Sequence, residues 1–251
     1  MVLKNLFRRK IRTLLTTFGI AVGVAAVVAL GALAGGFIEG YTSVSGGSGA
    51  DLLVAQEDAL DIVFSAVEED LGQALRALSG VEKVTPMIYT FAATEGAPYF
   101  IIYGYDPEGF AIDHFKIVEG EPLSRRGGVR GGKPLILGRT AAEDLDKSVG
   151  ETFYLYESAY RIVGIYETGE PFEDGGAVIL LEDAQDLSGK PQQVNAFLLK
   201  LHTSVDVDAL AQRIEQRHRN VTATRSSNFA EEQDFLQNVY LFTWSISFIA
   251  I

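Results

Sequence analysis

The stretch 133-KPLILGRTAAEDLDKSVGETFYLYESAYRIVGIYETGEPF-172 decides the reading of the chain. Leu135, Ile136 and Leu137 form a short apolar run, a strand, and "GRTAAEDL" after it reads as a brief helix. "VGETFYLY" and "AYRIVGIYETG" alternate as two further strands. Downstream, "AVILLEDAQDL" is a strand running into a helix. Upstream, "EGEPL" and "SRRGGVRGGKP" are turn-rich and Gly-rich. Residues 110–191 therefore read as a small, mostly β module.

The flanks of this module have another texture, and they repeat. "SVSGGSGAD" is a short flexible joint, and "DLLVA" after it is a strand. Val67, Leu71, Leu75 and Leu78 recur at helical spacing, and Ser79-Gly80 ends that helix. "FAATEGAPYFIIYGY" is two strands joined near Glu95-Gly96. On the far side "NAFLLKL" alternates as a strand, and Thr203 or Ser204 is placed to cap a helix with the stripe Val207, Leu210 and Ile214. "NVTATRSS" then extends again. Two strand–helix–strand units predict a split α+β domain, halves 39–109 and 192–235, with helices on one sheet face and the β-rich module inserted between them.

Beyond the domain lie two greasy ends. Leu14 to Ile38 is about 25 residues without a charge, long enough as a helix for the roughly 30 Å of a bilayer core. A cleaved secretory signal, suggested by Ala32-Leu33-Ala34, has a shorter apolar region. Lys4, Arg8, Arg9, Lys10 and Arg12 precede this run, with no acid among them, while the whole chain has 21 basic and 33 acidic residues. Positive charge stays inside, so residues 1–13 are expected as a cytoplasmic amphipathic segment and the acidic body outside. Residues 236–251 read as the start of a second membrane helix. Gly19, Gly23, Gly31 and Gly35 place small residues at multiples of four along the first helix, a face for another helix. Nucleic acid is excluded as a partner, since the acidic body repels phosphate.

"NLFRRKIRTLLTTFGIAVGVAAVVAL", "ADLLVAQ" and the stretch 133–172 resemble ABC-transporter permeases of the MacB/FtsX type, of which this is the N-terminal portion. Gly138, Arg139, Gly150, Glu151 and Gly164 occupy the family's pattern of a Gly-Arg after a strand, a Gly-Glu turn and a "YRIVGIY" strand. The resemblance implies a multi-pass protein of a bacterial or archaeal cell (inner) membrane. Its domain would be a porter-like part with an inserted β part between the first and second helices. It further implies an ABC ATPase subunit, a permease homo- or heterodimer, and an extracytoplasmic adaptor or substrate protein as partners.

Catalytic chemistry is hard to find in the sequence. "GGVRGGKPL" has glycines, but Pro134 stands where a phosphate loop needs Ser or Thr. His114, His202 and His218 are dispersed, with no metal-binding spacing. No Ser-centred elbow exists, and the acids of "VEEDL" and "LEDAQD" read as solvated helix ends. Arg125, Arg126, Arg130 and Lys133 make a basic loop, read as exposed. No catalytic, cofactor-binding or metal-binding residue is assigned, and no cofactor is expected. The expected function is a non-catalytic permease subunit that couples ATP hydrolysis in a partner to motion of its outer domain. A membrane-anchored extracellular sensor or ligand-binding domain is the alternative.

Overall fold

A computed structural model describes the backbone of residues 10–125 and 132–227. Residues 1–9 and 228–251, which hold most of the expected amphipathic segment and the expected second membrane helix, lie outside the described residues, as do Arg126 and Arg130. The chain up to Glu39 belongs to one compact unit, and Gly40–Gln233 forms another.

Helix α1 spans Lys10–Gly46, and its residues up to Glu39 belong to the first unit. Leu14, Leu15, Phe18, Ile20 and Val28 on it are all more than 60 % exposed. Successive helical residues turn by about 100°, so these side chains point to several sides and not to one stripe. Among the described residues no helix is long and apolar enough to cross a membrane; side chains of α1 are described only as far as residue 32, short of the full uncharged run.

The larger unit is a mixed α+β fold. Its elements run β1 (Leu52–Gln56), β2 (Val67–Glu68), α2 (Leu71–Arg76), β3 (Val81–Thr94), β4 (Ala97–Tyr105), β5 (Lys116–Gly120), β6 (Lys133–Gly138) and α3 (Arg139–Asp144). They continue with β7 (Thr152–Leu155), β8 (Ser158–Glu167), α4 (Pro171–Asp174), β9 (Ala177–Leu180), α5 (Leu181–Ser188), β10 (Gln193–Val194), β11 (Ala196–Leu201), α6 (Val207–Arg217) and β12 (Val221–Arg225). One sheet runs in the order β12-β1-β11-β3-β4-β9-β6-β8-β5, with β7 also on β8. The two strand–helix–strand units interleave, for β1 lies between β11 and β12 and is antiparallel to both. Two pairings are parallel: β4 with β9 and β6 with β8.

Period-2 alternation in β3 sorts its residues onto two buried faces. Val84, Ile88 and Ala92 join Leu52, Val54, Phe197, Leu199 and Ile102 in a cluster that also holds Leu75 of α2, Ala184 of α5 and Leu210 and Ile214 of α6. Each large aliphatic chain buried there contributes about 1.5–3 kcal/mol. On the other face Met87 and Tyr89 stand opposite Tyr105 and Tyr103. Phe115 covers these tyrosines, its ring 5.7 Å from those of Tyr103 and Tyr105 and 5.0 Å from that of Tyr166.

Two local expectations fail. The helix expected from Val67 begins only at Leu71, because Val67 is taken into a two-stranded ladder opposite Val194. Helix α6 is capped by neither Thr203 nor Ser204. Asp206 caps it instead, its carboxylate accepting from the backbone N–H groups of Asp208 and Ala209 at 3.1 and 3.2 Å, a stronger arrangement near the positive helix end.

Candidate functional site

The incoming and outgoing segments of the larger unit meet at Asp51. Its N–H donates to Leu199 O at 2.9 Å, and its carbonyl accepts from the N–H of Ser226 at 3.3 Å. The Asp51 carboxylate accepts from the N–H of Leu201 at 2.9 Å and faces Lys200 Nζ, which donates to Gly49 O at 2.9 Å. The flexible joint read at "SVSGGSGAD" is thus pinned at its last residue.

Gly47, in the same joint, packs on the imidazole of His114. A Cβ at Gly47 would lie 2.5 Å from Cε1 and Nε2 of that ring. His114 ends a 3-10 turn, Phe110–His114, and its Nε2 lies 2.6 Å from Oε2 of Glu173 in α4. Glu173 is only 2 % exposed. Tyr166 Oη donates to the Glu173 carbonyl at 2.7 Å. The neighbouring Asp174 carboxylate accepts from the N–H groups of Thr168 and Gly169 and from Thr168 Oγ1. Burial raises Tyr103, Tyr105 and Tyr166 far above the usual phenol range, and the charge of Glu173 raises them further. These hydroxyls stay protonated, so the cluster has no phenolate to act as base or nucleophile. It is a buried polar joint.

The other candidate residues are scattered. His202 sits in the turn after β11, and His218 ends α6, far in sequence from His114. Among the described residues no group of three or more His, Asp and Glu is placed to hold a metal. Arg125 of the basic loop is ion-paired with Glu182 and with Asp106 Oδ2, the latter at 3.4 Å. Lys133 Nζ is 2.6 Å from Asp183 Oδ1. Asp183 is 7 % exposed, so that acid of "LEDAQD" is a buried ion-pair member and not a solvated helix end. Of "VEEDL", Glu68 and Glu69 accept from the side-chain amides of Gln193 and Gln185.

The five residues of the 133–172 pattern have structural work. A Cβ at Gly138 would strike the backbone of Asp174, so glycine lets α4 close onto the end of β6. Gly164 is met in the same way by the carbonyl of Glu121. Arg139 Nε reaches Glu167 Oε2 at 3.2 Å, and Glu151 Oε2 accepts from the N–H of Ser148. Gly150 takes φ +92°, which glycine tolerates, while its N–H donates to Ile162 O at 2.8 Å.

These residues all lie inside residues 13–217, the span matched by the sequence model of the MacB-like periplasmic core domain family. The chain belongs to this family. Solved structures agree in fold. The periplasmic region of MacB from Actinobacillus actinomycetemcomitans superposes with a TM-score of 0.55 at 12 % identity, covering 72 % of this chain and 91 % of that one. The extracellular domain of the noncanonic ABC-type transporter YknZ from Gram-positive bacteria gives 0.53 at 11 % identity, covering 70 % and 99 %. No curated protein matches the chain by sequence.

In this MacB-like domain one well-connected buried polar side chain has no sequence motif to announce it. Asn195, 1 % exposed, holds its Nδ2 at 2.8–2.9 Å from the carbonyls of Ile62, Val63 and Ser65, which share its two hydrogens. Its Oδ1 accepts from the N–H of Tyr89 at 2.9 Å. A buried Asn directly after an apolar residue and before a strand was the only available signal.

Proposed function

We propose that this chain is part of a permease subunit of a MacB-like ABC transporter. ATP is hydrolysed by a separate ATPase subunit, and the motion reaches the outer domain through membrane helices, driving export, extraction or mechanical signalling. The observation that carries this reading is the joint at Asp51, where the segments leading to the two apolar runs leave the MacB-like domain beside each other. A movement of those runs would therefore act on one end of the domain. The uncharged Leu14–Ile38 run and the exposed apolar side chains of α1 support a first membrane helix, with its basic N-terminus inside. Along α1, nothing among the described residues, apart from the adjoining residues and the helix's own backbone, comes within 4 Å of where a Cβ would stand on Gly19, Gly23 or Gly31. That open face suits close approach by another helix, within the bundle or across a permease dimer.

Single cysteines test this cleanly, because the chain has none. Ser204, exposed beyond β11, and Lys4 are each replaced by cysteine. An impermeant maleimide should label position 204 in intact cells, or in spheroplasts where there is an outer membrane, and position 4 only after lysis. The reverse pattern, or protection of both, overturns the topology. Co-purification with an ATPase whose activity responds to this subunit tests the coupling.

A further inference from the structure

We infer that the loop joining β1 to β2, residues 57–66, is a rigid prong that docks into an apolar pocket, rimmed by lysine and arginine, on a partner protein. The inference rests on the permease reading only in taking the Asp51 end as the membrane side.

Two large apolar side chains stand at the tip of this loop, Leu60 at 78 % and Phe64 at 68 % exposure. Singly exposed apolar residues are ordinary. Here they are four residues apart on a segment that the domain holds in place with buried polar groups. Besides the three carbonyls bound by Asn195, Lys190 Nζ donates to Val63 O and Ser65 O at 2.7 Å. Ser65 Oγ donates to Asn195 O, Asp61 accepts from the N–H of Val63, and Gln56 Oε1 accepts from the N–H of Ala66. Burial lowers the pKa of Lys190, a sign that its ammonium is turned inward at a cost. The polar groups of the turn thus face the domain, Ile62 is buried, and Leu60 and Phe64 are left pointing out. Fixing a loop costs about 1–2 kcal/mol per residue. Meeting that cost before binding favours tight docking by a small apolar anchor.

Place and charge select the occupant. Asp51 precedes β1 and the prong follows it, so the five-residue strand separates them by about 17 Å. The acids around the prong repel an anionic lipid surface, which leaves a protein. From residue 57 to 70 the chain carries Glu57, Asp58, Asp61, Glu68, Glu69 and Asp70 and no lysine or arginine. An apolar anchor in an acidic field is complementary to an apolar pocket with a basic rim.

The test uses the full chain in nanodiscs of zwitterionic lipid and fluorescence anisotropy of a labelled amphipathic Leu/Lys peptide, with a Leu/Glu peptide of the same pattern alongside. The wild type should bind the Leu/Lys peptide and ignore the Leu/Glu peptide. Leu60→Ser/Phe64→Ser, which keeps every charge, should weaken binding by about tenfold or more. Glu57→Gln/Asp58→Asn should weaken it several-fold at low salt and less at high salt. Unchanged thermal melts would show both variants folded. Absence of binding, or binding within twofold of wild type by the serine variant, overturns the proposal. So does loss of sedimentation with anionic vesicles in the serine variant while peptide binding is unaffected, which would assign the tip to lipid. None of these readings involves ATP, so failure here leaves the permease reading standing, and failure of ATPase coupling leaves the prong.

Discussion

His114 Nε2 and Glu173 Oε2 lie 2.6 Å apart, and they join the turn beneath the incoming joint to the short helix that closes on Gly138. His114 keeps 18 % of its side chain in solvent, whereas Glu173 keeps 2 %. The two partners are therefore unequal. His114→Ala leaves a carboxylate buried without its partner and should cost about 3 kcal/mol. Glu173→Gln retains a hydrogen-bonding group of the same shape and should cost about 1 kcal/mol. Urea unfolding of the two variants should rank them in that order; equal losses would refute the asymmetry.

Gly138→Ala should force α4 away from the end of β6, because backbone and not a flexible side chain occupies the space. Overpacking of this kind costs about 1–3 kcal/mol. Thermal denaturation should fall by about 2–4 °C for each kcal/mol lost. Gly169→Ala, at a glycine with open space around it but φ +89°, is the control for backbone strain without a clash.

Glu215 guards the β12 edge, which no other strand among the described residues pairs. Its Oε1 accepts from the N–H of Ala223 at 2.9 Å and from Thr222 Oγ1 at 3.2 Å, on the outermost strand β12. Glu215→Ala uncovers that N–H, at a cost of about 1 kcal/mol, and offers the edge to another chain. Light scattering after size exclusion should show concentration-dependent self-association that the wild type lacks.

Asp208 gives the domain a small acid-sensitive contact. The hydrogen bonds from Arg225 hold its carboxyl below the usual value of 3.8; desolvation opposes them, and the charge of Arg225 adds to them. A depressed carboxylate stabilises the fold above its unfolded value, and that contribution disappears as pH falls through the folded value. Asp208→Asn should therefore unfold at lower urea than wild type at pH 6, and the gap should close as pH falls through the lowered value. Both groups are exposed to solvent, so the gap should also shrink in high salt.

The division of the outer domain at residues 110 and 191 is a proposal with its own test. Replacing about 112–190 by a Gly/Ser linker keeps the ladder β12-β1-β11-β3-β4, and loop closure adds little cost. It also removes β9 from beside β4 and strips Phe115, with the Tyr166 ring packed on it, from over Tyr103 and Tyr105. We expect a folded product with a single, earlier unfolding transition and more exposed tyrosine by fluorescence quenching. Loss of cooperative unfolding would mean that the two parts are one folding unit.

Much of the sheet could be read in the sequence, because its strands carry local signals. Alternation marks Phe197, Leu199 and Leu201, and Gly96, at φ +86°, sits in the turn expected at Glu95-Gly96. Helix α6 showed its stripe because Leu210 and Ile214 are both buried at helical spacing. The parallel pairings of β4 with β9 and β6 with β8 had no such mark, since partners distant in sequence leave no local pattern. Val67 misled for the opposite reason: its spacing suits a helix, and only the distant Val194 makes it a strand. The polar joint was hidden too. His114 and Glu173 are 59 residues apart, and neither stands in a pattern that announces the other.

The pinning of Asp51 to Ser226 decides how the domain responds to force. Strands β1 and β12 are antiparallel, so the N-terminal end of one and the C-terminal end of the other lie side by side, with Leu52 opposite Arg225. Tension that draws the two tethers apart would open that ladder like a zipper, one rung at a time, against little resistance. A pull shared equally by both tethers loads none of those rungs and carries the whole sheet along as a solid lever. On the permease reading proposed above, the domain would therefore pass on a stroke in which its tethers travel together, and would yield under one that separates them.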